Sequence, residues 1–560
     1  AVEGGTIMKR MFVRLVVIAA AVGLSLPAFG PAAQAQARRD VVTIGMAQEP
    51  DILGPFSTMA AAGVIHNSLF TFFAPFNEKW QRVPLLVEKL PSLKDGDWQV
   101  LPGNKMRVTW KIKRGFTWHD GRPVTALDAR FSYGMLRNPR TPTLTRFVLR
   151  KVDNILVPDE RDPYTMVVQW NELYPFANGE PYGFNYMMPR HALERAYNAD
   201  PGRLRADPYF RAPVANGPYK FKEWVAGSHI TLEVNDKFPG EKPKIKQVTF
   251  RFILDSVVLT ANQIAGSVDA TEINNFGIDQ MVDIEKRNPN VATHYTEALI
   301  WERIEFNNDD EWLKDRRVRQ AIAHAIDREA IFKTLFQGRQ PVAHTWIPPR
   351  HPGSHPNVKK YAYDPARARQ LLAEAGFTPG PDGILRDRSG KRVEMTYMTT
   401  AGNAPREQTQ QIIKEQLRAV GIEIRIDNRP ASVFFGSVVP RRQWPHIAEW
   451  ATLFTPETLP FPNFHSSQIP SAANNWEGSN RMGWRNAEND RVSEQVNDAL
   501  DEAKRIPLLR RQQELYVDDL PSLPLYFRLS LSTSVKTLRN VKPTGLGGFY
   551  INWNSQEWSY

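Results

Sequence analysis

The sequence contains no cysteine. That absence excludes disulfides, thiolate zinc sites, iron–sulfur clusters and a thiol nucleophile. It also excludes a lipid anchor on a mature N-terminal cysteine. Catalytic signatures are missing too: there is no G-x-S-x-G elbow, no H-E-x-x-H, no G-x-x-x-x-G-K-[ST] loop and no metal-spaced histidine pair. Beyond the first forty residues no run is long and apolar enough to span a membrane. Charge is not concentrated either. The formal net charge is +11, but Lys9, Arg10 and Arg14 sit in a segment expected to be removed. The remaining basic residues are scattered among Asp and Glu, with only pairs such as Arg441-Arg442, so no stripe for nucleic acid appears.

What the chain does have is length and aromatic bulk. Its 560 residues suggest about three to five domains or subdomains. Fifteen Trp, 16 Tyr and 29 Phe are too many large apolar side chains for a solvated, unfolded chain. From Met8 the chain reads as a secretory leader. Lys9, Arg10 and Arg14 precede a short apolar stretch from Leu15 to Leu26, Pro27 and Gly30 break it, and Ala33-Gln34-Ala35 offers small residues for a peptidase. The expectation is cleavage near Ala35 or Ala37, residues 1–37 forming an extension and leader, and a soluble mature protein in the periplasm.

The remainder interleaves helices and strands. Residues 107–112 alternate like a half-buried strand before a turn at Gly115. Thr125 and Asp128 form a capping-box pattern that starts a helix carrying Phe131 and Met135. Asp315 precedes a long helix with Val318, Ile322, Ile326 and Ile331 on one side, closing near Gly338. Asp364-Pro365 opens another helix that stops at Gly376. A fourth follows Pro405, carries Ile412, Ile413 and Leu417, and feeds past Gly421 into the alternating strand Ile422, Ile424, Ile426. No linker of low complexity separates domains, which favours domains built from discontinuous segments.

Three short motifs are chemically suggestive and read more simply as turns. Gly545-Leu546-Gly547-Gly548 lacks the helix that a phosphate loop needs. His119-Asp120-Gly121 could supply an acid–base pair, but lies between a strand and a capped helix. Asp309-Asp310-Glu311 could hold a cation, but precedes the Asp315 helix as a solvated loop. The aromatics are different: Trp444, Trp450, Phe454, Phe461, Phe464, Trp476 and Trp484 crowd a stretch rich in Pro, Asn and Ser. They suit a concave ligand site and equally suit core beneath long loops.

Four segments together resemble a known family. They are Trp110 to Asp128 (WKIKRGFTWHDGRPVTALD), Asn216-Gly217-Pro218-Tyr219-Lys220-Phe221, Phe306-Asn307 followed by Asp315-Arg316-Arg317-Val318-Arg319-Gln320-Ala321-Ile322, and Asp364-Pro365 through Gly376-Phe377. In order and spacing they resemble the extracellular solute-binding proteins of family 5, the peptide, nickel and oligosaccharide receptors of ATP-driven importers. The resemblance implies an α/β, two-lobe periplasmic-binding-protein fold of type II with an extra inserted subdomain. It puts residues 38–75, 210–302 and 528–560 in lobe 1, 76–209 in its inserted subdomain, and 303–527 in lobe 2. It implies a monomer that encloses a small solute, peptide or oligosaccharide, and delivers it to permease subunits of the inner membrane, with no catalysis, cofactor or metal.

The same resemblance points to ligand-binding residues: Trp450, Leu453, Phe454 and Trp476, with Arg406 and Asn307. Peptide-binding members place an aspartate shortly after a cleft tryptophan to pair with the free amino group. Here Trp450 is followed by Ala451, Thr452, Leu453, Phe454 and Thr455, so that role is open unless Glu449 or Glu457 fills it. Arg406, at the start of a helix, suits a carboxylate but reads more simply as an exposed first-turn arginine. An exported hydrolase with an aromatic cleft, or a periplasmic chaperone-like binder, are the alternatives.

Overall fold

The computed structural model describes residues 40–57, 59–142, 147–273 and 275–560. The expected leader therefore lies outside the described residues. In chain order the strands are β1 (Val41–Met46), β2 (Trp98–Leu101), β3 (Lys105–Lys111), β4 (Val152–Leu156), β5 (Thr165–Trp170), β6 (Tyr219–Val225), β7 (His229–Val234), β8 (Gln247–Phe252), β9 (Ala270–Thr271), β10 (Val291–Phe306), β11 (Thr378–Pro379), β12 (Leu385–Arg386), β13 (Glu394–Met398), β14 (Glu423–Ile426), β15 (Ile447–Leu453) and β16 (Ser522–Val535). Ten of them make one mixed sheet in the order β14-β13-β15-β10-β16-β9-β1-β8-β7-β6. A separate antiparallel sheet, β2-β3-β5-β4, lies within residues 76–209.

Two long strands join the halves of the large sheet. β10 and β16 pair antiparallel from Val291 opposite Val535 to Glu305 opposite Ser522. One end of this ribbon pairs through β16 with β9, and the other through β10 with β15. The ladder loses register twice, between Glu297 and Trp301 and between Glu302 and Arg303. Such irregularities bend a strand and loosen its pairing, so the ribbon can flex where it passes from one half to the other. The expected cuts at 302/303 and 527/528 fall inside this stretch.

Local chemistry explains the helices. Thr125 N–H donates to Asp128 Oδ2 at 3.0 Å and opens the helix Ala126–Arg137. Asp364 accepts from Arg367 N–H at the start of Pro365–Ala375, and Gly376 closes that helix at φ +97°. The single helix expected from Asp315 to Gly338 is instead two, Arg316–Ala325 and Arg328–Leu335. Asp327 causes the break: its carboxylate accepts from Ala330 N–H at 3.0 Å and caps a second helix. Ile326 and Ile331 are buried all the same, 1% and 2% exposed.

The Asn216-Gly217 turn shows why its residues are needed. Gly217 N–H donates to Leu69 O at 2.9 Å, and Thr71 N–H donates to Asn216 Oδ1 at 2.9 Å. A Cβ on Gly217 would lie 2.5 Å from both the carbonyl carbon and oxygen of Leu69. Those are backbone atoms and cannot step aside. Gly217→Ala should therefore destabilise the protein by about 1–3 kcal/mol through overpacking, read as a lower midpoint in urea unfolding. An unchanged midpoint would show that the turn can relax.

Candidate functional site

The end of β15 leaves an edge open at the junction of the halves. Phe454 N–H donates to Leu299 O at 2.7 Å, and Asn307 N–H donates to His446 O at 2.8 Å. With Leu453 opposite Ile300 and Trp450 opposite Arg303, the antiparallel alternation turns the N–H and C=O groups of residues 449, 451 and 453 away from β10. The neighbour on that side, β13, ends at Met398 opposite Ala448. Thr399 Oγ1 then donates to Glu449 O at 2.8 Å, and Thr400 bridges to Arg429 instead. Among the described residues no group bonds the outward N–H and C=O of Ala451 or Leu453.

Charge is buried on both faces of β10 beside that edge. Glu302 has no exposed surface; its Oε1 accepts from Arg406 Nε at 2.8 Å and its Oε2 from Arg528 Nε at 2.8 Å. Glu449 faces the same cluster, with Tyr397 Oη donating to its Oε2 at 2.6 Å. Burial, reinforced by the negative charge of Glu302, pushes the Glu449 carboxyl up to about 8. On the other face Arg303 Nε bonds Glu305 at 2.6 Å, and the Arg303 guanidinium lies 4.5 Å from the Trp301 ring and 4.9 Å from the Trp450 ring.

A cavity of about 740 Å³ opens next to the cluster. Its walls come from both halves of the sheet: Asn275 and Ile278 on one side, Phe336 and Pro405 on the other, Tyr526 and Arg528 between them. The loop on the first side is strained, since the β-branched Ile273 sits at φ +48°. Further contacts bridge the halves around it. Arg82 donates from Nε to Glu457 Oε1 at 2.8 Å and from Nη2 to Glu457 Oε2 at 2.5 Å, and also reaches Glu180. The Arg350 guanidinium lies 4.3 Å from the Trp80 ring, and that of Arg505 lies 4.8 Å from Phe176.

Residues 90–470 match the sequence model of "Bacterial extracellular solute-binding proteins, family 5 Middle". The chain belongs to this family. Like other family 5 proteins it has a two-lobe α/β fold and a solute-binding role. It is 29% identical over 514 residues to the oligopeptide-binding protein AppA of Bacillus subtilis, covering 87% of this chain and 86% of that one. Among solved structures, the oligopeptide-binding protein of Thermus thermophilus, complexed with a pentapeptide, is 32% identical with a TM-score of 0.72, covering 93% and 96% of the two chains. NikZ of Campylobacter jejuni, in complex with Ni(L-His), shares the fold at 24% identity and a TM-score of 0.71, covering 93% of this chain and 100% of that one. Among the described residues no helix is long and apolar enough to cross a membrane.

In this family 5 chain the six residues expected to bind ligand are spread over different environments. Trp450 is 2% exposed and packs edge-on against Trp444 at 5.2 Å. Phe454 is buried and stacks on Trp301 at 5.8 Å. Arg406 is buried, with its guanidinium shared by Glu302 and Thr400. Asn307 donates to Trp444 O at 3.0 Å and so holds the turn before β15. Leu453 and Trp476 are open, at 56% and 39% exposure. Of the two glutamates that could replace the missing aspartate, Glu449 is held by Tyr397 and Glu457 by Arg82. Residues not picked out from the sequence are Arg528, Gln340 and Arg82. Arg528 carried a signal: it is a charge following the apolar run Leu523-Pro524-Leu525-Tyr526-Phe527.

The state of Glu449 can be read from stability. A carboxyl whose folded pKa of about 8 exceeds its ordinary 4.5 binds more protons in the folded state, so stability falls as pH rises through that window. Glu449→Gln keeps the Tyr397 contact and removes the titration. Its stability should fall less than the parent's between about pH 5 and pH 8 in urea titrations. Glu272, also raised by burial, to about 7, is common to both proteins and cancels. Parallel curves would mean that Glu449 is ionised throughout.

Proposed function

We propose that this protein captures a peptide-like solute between its two lobes and delivers it to the permease of an ATP-driven importer, acting as a monomer outside the cytoplasm after loss of its leader. Residues 38–75, 210–302 and 528–560 make lobe 1, 76–209 its inserted subdomain, and 303–527 lobe 2. One observation carries the reading: β15 offers an unpaired main-chain edge at Ala451 and Leu453. An extended peptide satisfies such an edge by adding a strand, with side chains directed alternately to either side. The complexes of the Thermus protein with a pentapeptide and of Bacillus AppA with a nonapeptide support the same ligand class. An oligosaccharide has no comparable ladder of alternating donors and acceptors. Leu453 and Trp476, both exposed, then flank the ligand, whereas Trp450 and Phe454 support the strand from beneath.

Native mass spectrometry of freshly purified protein tests this directly. A co-purified peptide of a few residues is the expected result. A sugar, or no species and no rise in melting temperature with any peptide pool, overturns the assignment.

Closure supplies a second test. The bidentate Arg82–Glu457 pair joins the inserted subdomain to lobe 2, with side chains 9% and 16% exposed, so it exists only while the lobes are together. Arg82→Ala should open the unliganded protein, seen as a larger radius of gyration, and weaken peptide binding by on the order of 1–3 kcal/mol of coupling. Unchanged scattering and affinity would remove the pair from closure.

A further inference from the structure

A second cavity, of about 640 Å³, lies away from the junction of the halves. It sits between the segment 76–209 and the segments that flank it, with the last residues of the chain closing one side, and no residue of 303–527 lines it. Its volume is in the range of small-molecule sites. The wall is aromatic: Phe70, Phe72, Phe116, Phe238 and Trp553 all line it and all are buried. One polar atom in this wall is unmatched. Asn67 is 3% exposed and lines the cavity from the helix Ala60–Leu69. Its Nδ2 donates to Gly63 O at 2.6 Å and to Gly548 O at 2.9 Å. Two carbonyls thereby fix the orientation of the amide, so the atom left without a partner among the described residues is Oδ1. That oxygen only accepts, and a ligand satisfies it with an N–H or O–H donor.

The charges around the cavity are a separate observation. Three carboxylates, Glu88, Glu241 and Glu557, line it against two cations, Lys113 and Arg114. Arg114 is bonded elsewhere, to Asp162 at 2.6 Å, and lies over the Tyr164 ring. Lys113 Nζ donates to Pro84 O at 3.0 Å and feels the charge of Glu88. Glu557 is bonded by Lys542 at 2.6 Å, and Lys542 acts on Glu241 only at longer range. Glu88 and Glu241 are exposed and make no ion pair among the described residues. The mouth of the cavity therefore favours a cation over an anion.

We propose that this cavity binds a small organic amine, separately from the solute held between the lobes. The ammonium donates to Asn67 Oδ1, a charge-assisted bond of the stronger kind. The apolar body lies against the aromatic wall, whose ring faces also attract a cation, and Glu88 and Glu241 favour the charge at the mouth. An aryl monoamine and an aliphatic diamine share this chemistry, the second nitrogen of a diamine reaching the carboxylates. An acid is refused by the same groups, since Asn67 Oδ1 and both glutamates repel it. The site does not depend on whether the inter-lobe cleft takes a peptide.

Isothermal titration calorimetry of the full chain at neutral pH tests this with phenethylamine, cadaverine and N-acetylphenethylamine, which keeps the ring and loses the charge. One of the two amines should bind at a single saturable site, about tenfold or more tighter than the acetylated probe, the scale of one hydrogen bond to a charged group. Tighter binding of phenethylamine assigns a monoamine and tighter binding of cadaverine a diamine; either supports the proposal. Asn67→Ala should abolish the preference over the acetylated probe. Because Asn67 also holds Gly548, a second variant guards against misfolding. Glu88→Gln combined with Glu241→Gln alters only exposed groups without ion pairs, so the melting temperature should hold while amine affinity falls roughly threefold. Binding of neither amine, binding no tighter than that of the acetylated probe, or affinity unmoved by the double variant overturns the proposal. Displacement of the amine by a peptide pool that itself raises the melting temperature would put the amine in the inter-lobe cleft, overturning this site and leaving the peptide reading in place.

Discussion

Glu302 sits at the crossing of the two lobes with no exposed surface, and two arginines hold its two oxygens. Arg406 arrives from the helix Ala404–Arg418 and Arg528 from β16. Their shared carboxylate thus ties a helix of one lobe to the paired strands that lead into the other. Burial makes the arrangement strict. Removing one member would leave a desolvated charge without its partner, which costs several kcal/mol, whereas the intact set gains little over apolar packing. Its value lies in direction: it aims Arg528 into the cavity and holds the first turn of the helix at the cavity wall. The opposite face of β10 repeats the device, where Arg303 lies between Trp301 and Trp450 and bonds Glu305. β10 is therefore a buried strand in which consecutive charges are locked on opposite faces, and slipping it by one residue would strand all of them.

A strand so firmly specified within lobe 2 can still bend where it leaves it. The register breaks at Glu297/Trp301 and Glu302/Arg303 weaken the ladder where the two halves of the large sheet meet. Arginines also reach between the segments expected to form the two lobes. Arg82 bonds Glu457, Arg350 lies over Trp80, Arg505 lies over Phe176, and Arg339 reaches Glu285. Each is an arginine reaching across, so these contacts favour an arrangement in which the lobes are together. A ligand need supply only the difference in its affinity for the two states.

Much of this was legible in the sequence because it follows from local chemistry. Capping aspartates at 128, 364 and 315, glycines at 376 and 217, and the alternation of residues 107–112 each dictate their own neighbourhood. The one helix that divided did so at another capping residue, Asp327, which the apolar periodicity of Ile322, Ile326 and Ile331 concealed. The site was harder to read. A tryptophan in a cleft and a tryptophan beneath a strand offer the same apolar area, so the aromatic crowd from Trp444 to Trp484 carries no sign of which it is. Trp450 and Phe454 are core because β10 supplies Arg303 opposite the first and Trp301 stacked on the second, contacts that span about 150 residues of chain. Arg406 has the same history: its partner, Glu302, is 104 positions away.

These long-range pairings also decide what kind of selectivity the cleft can have. A peptide ammonium needs a carboxylate within reach, and both nearby glutamates are committed. Glu457 is clasped by Arg82 in the contact that joins the lobes, and Glu449 is turned inward to Tyr397 in a buried cluster. Leu453 presents an exposed apolar side chain where the open edge of β15 ends. On the proposed reading, recognition of the solute's main chain falls to the N–H and C=O groups of Ala451 and Leu453, which accept any sequence.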